Sequence, residues 1–185
     1  MQGARPSPGI DDFARADGAG GWGYLLGDEG GAYWLSISGL RAALRAHDGR
    51  ERATALLPTF LQRLHLSNTR DLVDWIYDPA TAPSRIASLA STVFDLAATD
   101  EVAAQIINVG AMSLAESIAT VARKLAFSRD SYSLALAGSV VLNQPSYHDQ
   151  VLSHLAQRDF RPATITLVEE PVLGALTLAR TLCVE

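Results

Sequence analysis

The last third of the chain switches between two hydrophobic patterns. Residues 132–137 (Tyr-Ser-Leu-Ala-Leu-Ala) alternate with period two, as a strand does, and residues 164–168 form a second apolar run of strand type. A helix is predicted after each, the first beginning near Gln144-Pro145 and the second covering residues 172–182. Strands separated by a helix indicate parallel pairing, because a parallel pair needs a long crossover connection. The pattern therefore predicts an α/β layer.

The region before these strands is dominated by helical periodicity. A first helical face is followed by Asp48-Gly49, which ends the helix; the face consists of Tyr33, Ile37, Leu40 and Leu44. Further helices are predicted over residues 51–65, with Pro58 as a kink or break, and over residues 83–97. Between them, Ser67 or Asn68 can cap a short helix that Asp78-Pro79 stops.

The longest predicted helix begins after Thr99 or Asp100, either of which can cap it. Its apolar positions step by four and three, and they are Ile107, Ala111, Leu114, Ile118, Val121 and Leu125. We interpret this stripe as core packing rather than a coiled-coil seam, because it does not extend beyond one helix.

Glycine is concentrated in one place. Seven of the fourteen glycines lie between residues 18 and 31, in and just before the stretch Gly-Gly-Trp-Gly-Tyr-Leu-Leu-Gly-Asp-Glu-Gly-Gly-Ala-Tyr-Trp, which is residues 20–34. Glycine is costly to order, so such a cluster is typical of backbone that needs positive φ or approaches a ligand closely. The preceding residues 1–17 have little periodicity and are predicted to be irregular.

Each of the two acids of this stretch has two possible roles, and each tryptophan has one expected role. Asp28, flanked by Gly27 and a second acid, can accept two ligand hydroxyl hydrogens, or it can belong to an ordinary turn. Glu29 can contact a ligand or cap the helix that starts near residue 30. Trp22, between two glycines, is expected to present its indole to a ligand, and Trp34 is expected to be core. Carboxylates beside a flat apolar face are what a sugar pocket needs.

Composition limits the function classes. A hydrophobic fraction of 48% supports a real core, and a net charge of −5 gives no electrostatic reason to expect nucleic acid. No polybasic patch, signal-peptide core or apolar run approaching membrane-spanning length is evident, so a soluble, cytoplasmic protein is expected. The single cysteine, Cys183, excludes an intramolecular disulfide, and the four histidines share no metal-ligand spacing.

Three segments carry a resemblance to a known family. The stretch over residues 20–34 resembles the signature of N-acetylglucosamine kinases and of the wider BadF/BadG/BcrA/BcrD type of ATPases, which share the actin, hexokinase and Hsp70 fold. Residues 136–143 (Leu-Ala-Gly-Ser-Val-Val-Leu-Asn) are similar to that family's adenosine-contacting turn, and residues 170–180 resemble its closing helix. The resemblance implies an α/β, ribonuclease H-like lobe with a large helical portion and a small mixed sheet, over residues 18–185.

The resemblance also implies roles for single residues. Gly21, Trp22, Gly23 and Asp28 would contact an amino sugar. Gly138, Ser139 and Asn143 would lie near the adenosine of ATP, although Gly138 also fits an ordinary strand-to-helix turn. Mg²⁺ would be held mainly by the phosphates.

Other parts of the family pattern are not found in this sequence. Family members carry a phosphate loop of the Asp-Gly-Gly-Gly-Thr kind and a catalytic aspartate, neither of which occurs here, so no catalytic residue is assigned. A second phosphate turn, of the Ser-Gly-Thr-Gly-Ser kind, is replaced by Ser-Pro-Gly-Ile-Asp-Asp-Phe-Ala-Arg at residues 7–15. Gly31 stands where the family usually has serine. The chain therefore resembles a C-terminal lobe, and we expect it to bind rather than to turn over.

Three functions follow as hypotheses. The first is an ATP-dependent kinase lobe that handles N-acetylglucosamine, glucosamine or N-acetylmannosamine, with a missing first lobe or a second copy as partner. The second is a dehydratase activator, which one cysteine argues against because that branch carries an iron–sulfur cluster on cysteines. The third is a non-catalytic sugar-binding or dimerisation module derived from such a kinase.

Overall fold

The computed structural model describes residues 17–182. The prediction for residues 1–17 and the position of Cys183 therefore fall outside the described residues, apart from residue 17 itself. The described elements, in chain order, are α1 (Ala32–His47), α2 (Leu56–Leu64), α3 (Thr69–Tyr77), α4 (Pro83–Ala87), α5 (Ala90–Leu96), α6 (Glu101–Lys124), β1 (Ser133–Ala137), α7 (Ser139–Asn143), α8 (Pro145–Ala156), β2 (Thr164–Val168) and α9 (Pro171–Leu182).

The predicted parallel pairing is confirmed. β1 and β2 pair in parallel from Ser133 opposite Thr164 to Ala137 opposite Val168. Within the described residues these two strands make up the small sheet, with α7 and α8 forming the crossover between them. Because the strands are parallel, their carboxyl ends lie at the same edge, at residues 138–139 and 169–170.

Helix caps follow the polar residues that the sequence offers. Asn68 caps α3, its side chain accepting hydrogen bonds from the backbone amides of Arg70 and Asp71. Asp100 caps α6 in the same way, accepting from Val102 and Ala103. α1 ends at Asp48, as predicted, and Gly49 follows with φ of 74°.

Three predicted boundaries were wrong. α2 begins only at Leu56, so Pro58 lies in its first turn, where the missing amide hydrogen would have no helical partner, and it kinks nothing. The helix predicted over residues 83–97 is two helices, α4 and α5, separated at Ser88-Leu89. The short helix α7 occupies residues that were expected to precede the helix of residue 144.

α6 is the centre of the packing. Its fully or nearly fully buried positions are mostly small, which lets α8 approach closely; they are Ala103, Ile107, Gly110, Ala111, Ala115, Ala119 and Ala122. Ile107 and Ala111 of the predicted stripe are buried, whereas Leu114, Ile118, Val121 and Leu125 are half-buried. The predicted core role is therefore right, but the buried stripe is displaced toward the alanines.

By length and composition alone, α6 could cross a membrane. The expectation that no apolar run approaches that length was therefore wrong. In the structure α6 packs against α1, α5 and α8, as a central helix of a folded core does.

Candidate functional site

The glycine-rich segment lies along one side of α6. At its start, the Lys124 ammonium at the end of α6 donates to Asp17 Oδ1 at 2.9 Å and to the Gly18 carbonyl at 2.8 Å. At its end, Gly30 touches Gly110 in the middle of α6. The segment, residues 17–31, is called the glycine strap below, and it is fixed to α6 at both ends.

The second attachment is a close contact between the backbones of Gly30 and Gly110, next to a hydrogen bond from Tyr147. The buried Tyr147 hydroxyl, on α8, donates to the Gly30 carbonyl at 2.8 Å. Gly30 has φ of +81°, and a Cβ there would lie 2.4 Å from the Gly110 carbonyl oxygen. A Cβ on Gly110 would lie 2.8 Å from the Tyr147 hydroxyl. Any side chain at either position would clash with a neighbouring residue, so both positions require glycine. At Gly30 the positive φ is a second reason.

The sequence analysis did not predict this contact among Gly30, Gly110 and Tyr147, although the sequence contains two signals of it. Gly110 interrupts the interior of a long helix, where glycine costs about 1 kcal/mol relative to alanine and usually has a packing reason. Tyr147 shares a helical face with Val151 and Leu155, spaced four and four, and all three are fully buried.

Between its attachments the strap turns tightly. Gly21 and Gly23 have φ of 72° and 81°, and the Gly23 carbonyl accepts from the amide of Gly27 at 2.9 Å. Gly27 is buried and lies close to Trp22. A Cβ at Gly27 would lie only 3.2 Å from the Trp22 amide nitrogen. The turn thus folds Trp22 back against the residue that precedes Asp28.

The predicted sugar contacts are exposed at this turn. The Trp22 side chain is 76% exposed, and within the described residues the Asp28 carboxylate forms no hydrogen bond or ion pair. Asp28 has φ of 55°, and its carbonyl accepts from the Gly31 amide at 2.9 Å. The Asp28 backbone therefore forms a turn, and its carboxylate is free to accept hydrogen bonds from a ligand. Trp34 is half-buried and packs against the core, in line with expectation.

Glu29 does not cap α1. The cap residue is Gly31, and no side chain accepts a hydrogen bond from the first turn of that helix. Glu29 instead lines a cavity of 370 Å³ between the strap and α6. The other lining residues are Ala19, Gly20, Trp22, Ser113, Glu116, Ser117 and Thr120. Of these, the four residues from α6 were not predicted.

A second cavity, of 740 Å³, lies on the other side of Glu29. It is lined largely by apolar residues of the strap, α1 and α3, including Leu25, Trp34 and Ile76. The smaller cavity has carboxylates, hydroxyls and an indole, as a sugar pocket does, so it is the better candidate. Of the predicted sugar contacts only Trp22 lines it, whereas Gly21, Gly23 and Asp28 line neither cavity.

The predicted adenosine contacts form a separate group at the carboxyl edge of the sheet. Gly138 follows β1 with φ of 109°, and no atom lies within 4 Å of the position of a Cβ there. Asn143 Nδ2 donates to the Ser139 carbonyl at 2.8 Å, which brings these two residues together across α7. None of the three residues lines either cavity described above. The open space beside Gly138 would admit a flat ligand.

Both histidines on α8 lie beside polar side chains, although His148 Nε2 is buried without a hydrogen-bond partner among the described residues. His154 Nε2 lies 2.9 Å from Asn108 Oδ1, and His148 Nδ1 lies 3.4 Å from the Asp149 carboxylate. Among residues 17–182, no three His, Cys, Asp or Glu side chains are grouped so that they could hold a metal ion.

Comparison with known proteins agrees with this architecture. Residues 9–179 match the model of the BadF/BadG/BcrA/BcrD ATPase family. The chain is 30% identical over 176 residues to an N-acetylmuramic acid/N-acetylglucosamine kinase of Clostridium acetobutylicum, covering 95% of this chain and 58% of that protein. It is 29% identical over 164 residues to an N-acetyl-D-glucosamine kinase of Dictyostelium discoideum, covering 87% of this chain and 51% of that protein.

Two solved structures are also similar to this chain in fold. A Chromobacterium violaceum protein provisionally named an N-acetylglucosamine kinase superposes with a TM-score of 0.60 at 26% identity, covering 86% of this chain and 50% of that one. A Porphyromonas gingivalis protein with the same provisional name superposes with a TM-score of 0.59 at 18% identity, covering 84% and 49%, which supports the fold alone.

The chain spans just over half the length of the curated relatives that it matches. Within that span, the family match covers almost all of the sequence, including the glycine strap and the turn at Gly138. The predicted actin/hexokinase-like fold is confirmed by the structural neighbours. The chain belongs to the BadF/BadG/BcrA/BcrD ATPase family.

Proposed function

We propose that this chain binds an amino sugar, N-acetylglucosamine first, against Trp22 and Asp28. The observation that carries the proposal is the strap itself, which holds an exposed indole and an unpaired carboxylate on either side of Gly27. An indole face can cover the C–H groups of a pyranose, and a carboxylate can accept two of its hydroxyl hydrogens. Gly21 and Gly23 would let the ring approach the backbone.

The nucleotide is assigned to the edge of the sheet. Gly138 and Ser139 would lie against the adenosine of ATP, with Asn143 beside them. Support comes from the positive φ and open space at Gly138, because a ligand at the carboxyl edge of parallel strands meets backbone there. When bound, ATP would supply the phosphoryl group for the 6-hydroxyl of the sugar, giving the sugar 6-phosphate and ADP. Mg²⁺ would be carried on the phosphates.

We further propose that residues 18–185 correspond to a C-terminal lobe that binds but does not transfer phosphate alone. Phosphoryl transfer depends on amides and cations placed around the moving group, and on a positioned base for the attacking hydroxyl. The sequence offers neither the phosphate loops nor the catalytic aspartate of the family pattern. A cytoplasmic location stays a prediction.

The first experiment is calorimetric titration of the 185-residue chain with N-acetylglucosamine. We expect binding by the folded wild-type chain, a loss of at least tenfold in affinity in Asp28→Asn, and no change in Asp74→Asn. Asp74 is a matched control because it is an exposed aspartate on α3 that lines neither cavity. No binding by a folded chain would contradict the proposal.

The lack of turnover is tested separately. A coupled assay for ADP release should show no sugar-dependent signal above background. Sugar phosphorylation that survives rigorous purification and disappears in Asp28→Asn would show that the chain is a complete kinase.

One observation favours a binding or dimerisation module as a second candidate. Apolar side chains on β2 and α9 are strongly exposed, including Ile165, Leu167 and Val172 at 41%, 48% and 61%. Exposed apolar patches of this kind usually mark an association surface. Sedimentation velocity distinguishes the cases, since a self-associating module should become monomeric in Ile165→Lys with its sugar binding intact.

A further inference from the structure

The cavity beside Trp22 is acidic. Glu29 approaches it from the strap and Glu116 from α6, and no lysine or arginine lines it. Neither carboxylate forms a hydrogen bond or an ion pair with another described residue. Lys124, at the end of the strap, is already bound to Asp17 and the Gly18 carbonyl.

The two serine hydroxyls of the same wall add acceptors, whereas Thr120 Oγ1 accepts from Arg123 Nη2 at 3.1 Å and keeps its hydrogen for a ligand. Ser113 Oγ donates to the Val109 carbonyl at 3.0 Å, and Ser117 Oγ donates to the Ser113 carbonyl at 3.1 Å. A hydroxyl has one hydrogen, so these two oxygens can offer only lone pairs to the cavity. Two carboxylates and two such hydroxyls outweigh the one free hydroxyl hydrogen of Thr120, so the wall as a whole favours ligand O–H and N–H groups over anions.

We propose that Glu29 and Glu116 make this site select an uncharged amino sugar and reject one that carries a carboxylate. The inference rests on the proposed sugar-binding function, and it would set this chain apart from the Clostridium acetobutylicum relative, whose name includes N-acetylmuramic acid. N-acetylmuramic acid is the natural probe, because it is N-acetylglucosamine with a carboxylate-bearing lactyl ether. Its anion would meet two like charges in the cavity lining, which itself holds no cation, although Arg123 Nη2 lies 3.1 Å from the lining Thr120 Oγ1.

Charge and bulk must be separated, because the lactyl group also adds volume. The amide of N-acetylmuramic acid has nearly the same size and no charge, so the affinity ratio of amide to acid reports charge alone. Both glutamates are solvent-exposed, so their repulsion should be screened by salt, whereas a steric clash should not.

The experiment measures dissociation constants of N-acetylglucosamine, N-acetylmuramic acid and its amide for the full chain at low and high salt. We expect the wild-type chain to bind the acid about tenfold more weakly than the amide at low salt, and the ratio to fall toward one at high salt. In the double variant Glu29→Gln/Glu116→Gln the ratio should approach one at both salt concentrations. Glu101→Gln, which removes an equal charge from the start of the same helix, should leave the ratio unchanged.

The outcomes separate the two proposals. If the folded chain does not bind N-acetylglucosamine, the proposed function fails and the specificity fails with it. If it binds N-acetylglucosamine but the acid and the amide bind equally, or the ratio persists in the double variant, the specificity alone is wrong.

Discussion

The hydroxyl of Tyr147 donates a hydrogen bond of 2.8 Å to the carbonyl of Gly30, 117 positions away in the sequence. Tyr147 is fully buried on α8, and Gly30 is the last residue of the strap before the cap of α1. The bond joins three elements, since Gly30 also touches Gly110 of α6. It fixes the end of the strap from which Asp28 and Glu29 project.

Removing this hydroxyl should destabilise the fold. Tyr147→Phe leaves a buried carbonyl without its donor, which costs about 1–3 kcal/mol. Burial also raises the pKa of the Tyr147 hydroxyl, so it stays a neutral donor through the ordinary pH range. Urea denaturation should show the loss, and sugar affinity should fall in parallel because the strap is released. Tyr77→Phe is the matched control, since Tyr77 is 81% exposed, and equal losses in the two variants would contradict this account.

Gly30→Ala should lower the stability of the fold by more than the strain of an alanine at positive φ explains. Gly49 offers the comparison, because it has φ of +74° and open space around its Cβ position. Alanine there should cost about 1–2 kcal/mol, the usual penalty of the left-handed region. At Gly30 the added Cβ also meets the Gly110 carbonyl and the Tyr147 hydroxyl, so we expect at least about 2 kcal/mol beyond that. Thermal melting of both variants tests the difference, and similar losses would show that the contact yields easily.

Local chemistry made part of this fold predictable. Asn68 and Asp100 are good cap residues placed directly before helical periodicity, and both cap their helices. The parallel pairing of β1 and β2 followed from the alternation of strand and helix patterns alone. The caps depend on residues that are neighbours in sequence, and the pairing follows from the order of strand and helix patterns, so a single sequence is enough to predict both.

The candidate site was only half predictable. Trp22 and Asp28 stood out by composition, and the structure packs Trp22 against Gly27, the residue before Asp28. Glu116 did not stand out, because an exposed glutamate on a helix looks like an ordinary solvated residue until the strap is laid against it. The role of Glu29 turned on whether it capped α1, and it does not, because the helix begins at Ala32 and its cap residue is Gly31, two positions after Glu29.

Asp100 should make stability depend on pH. Burial raises the pKa of its carboxyl, but hydrogen bonds from Thr54, Ala55, Ala103 and Val102 outweigh burial, so the pKa lies below the ordinary value of 3.8. A depressed folded-state pKa gives stabilisation that is present above the unfolded pKa and lost as pH falls through the folded value. Asp100→Asn should therefore cost about 1–3 kcal/mol at pH 7 and progressively less below about pH 4.

Chemical denaturation between pH 2.5 and 7 measures this dependence. Asp74→Asn removes an exposed aspartate that pairs with Arg70 at 3.5 Å on the surface of α3, and it should change stability by under about 0.5 kcal/mol throughout. A penalty for Asp100→Asn that stays constant to pH 2.5 would show that the charge of Asp100 is not what stabilises the cap.

Lys124 should matter for sugar binding more than for stability. Within residues 17–182, its bonds to Asp17 and Gly18 are the hydrogen bonds that join the end of α6 to the start of the strap, but the Lys124 and Asp17 side chains are 46% and 39% exposed. Exposed ion pairs contribute about 0–1 kcal/mol, so Lys124→Met should melt nearly like the wild type. With these bonds gone, the strap must become ordered when the sugar binds, and that ordering reduces affinity.

We expect N-acetylglucosamine to bind about threefold to tenfold more weakly to Lys124→Met. Arg45→Met, which breaks the pair with Glu51 at 2.6 Å, should leave binding unchanged. Full affinity in Lys124→Met would show that the Tyr147–Gly30 attachment is enough to hold the strap in place.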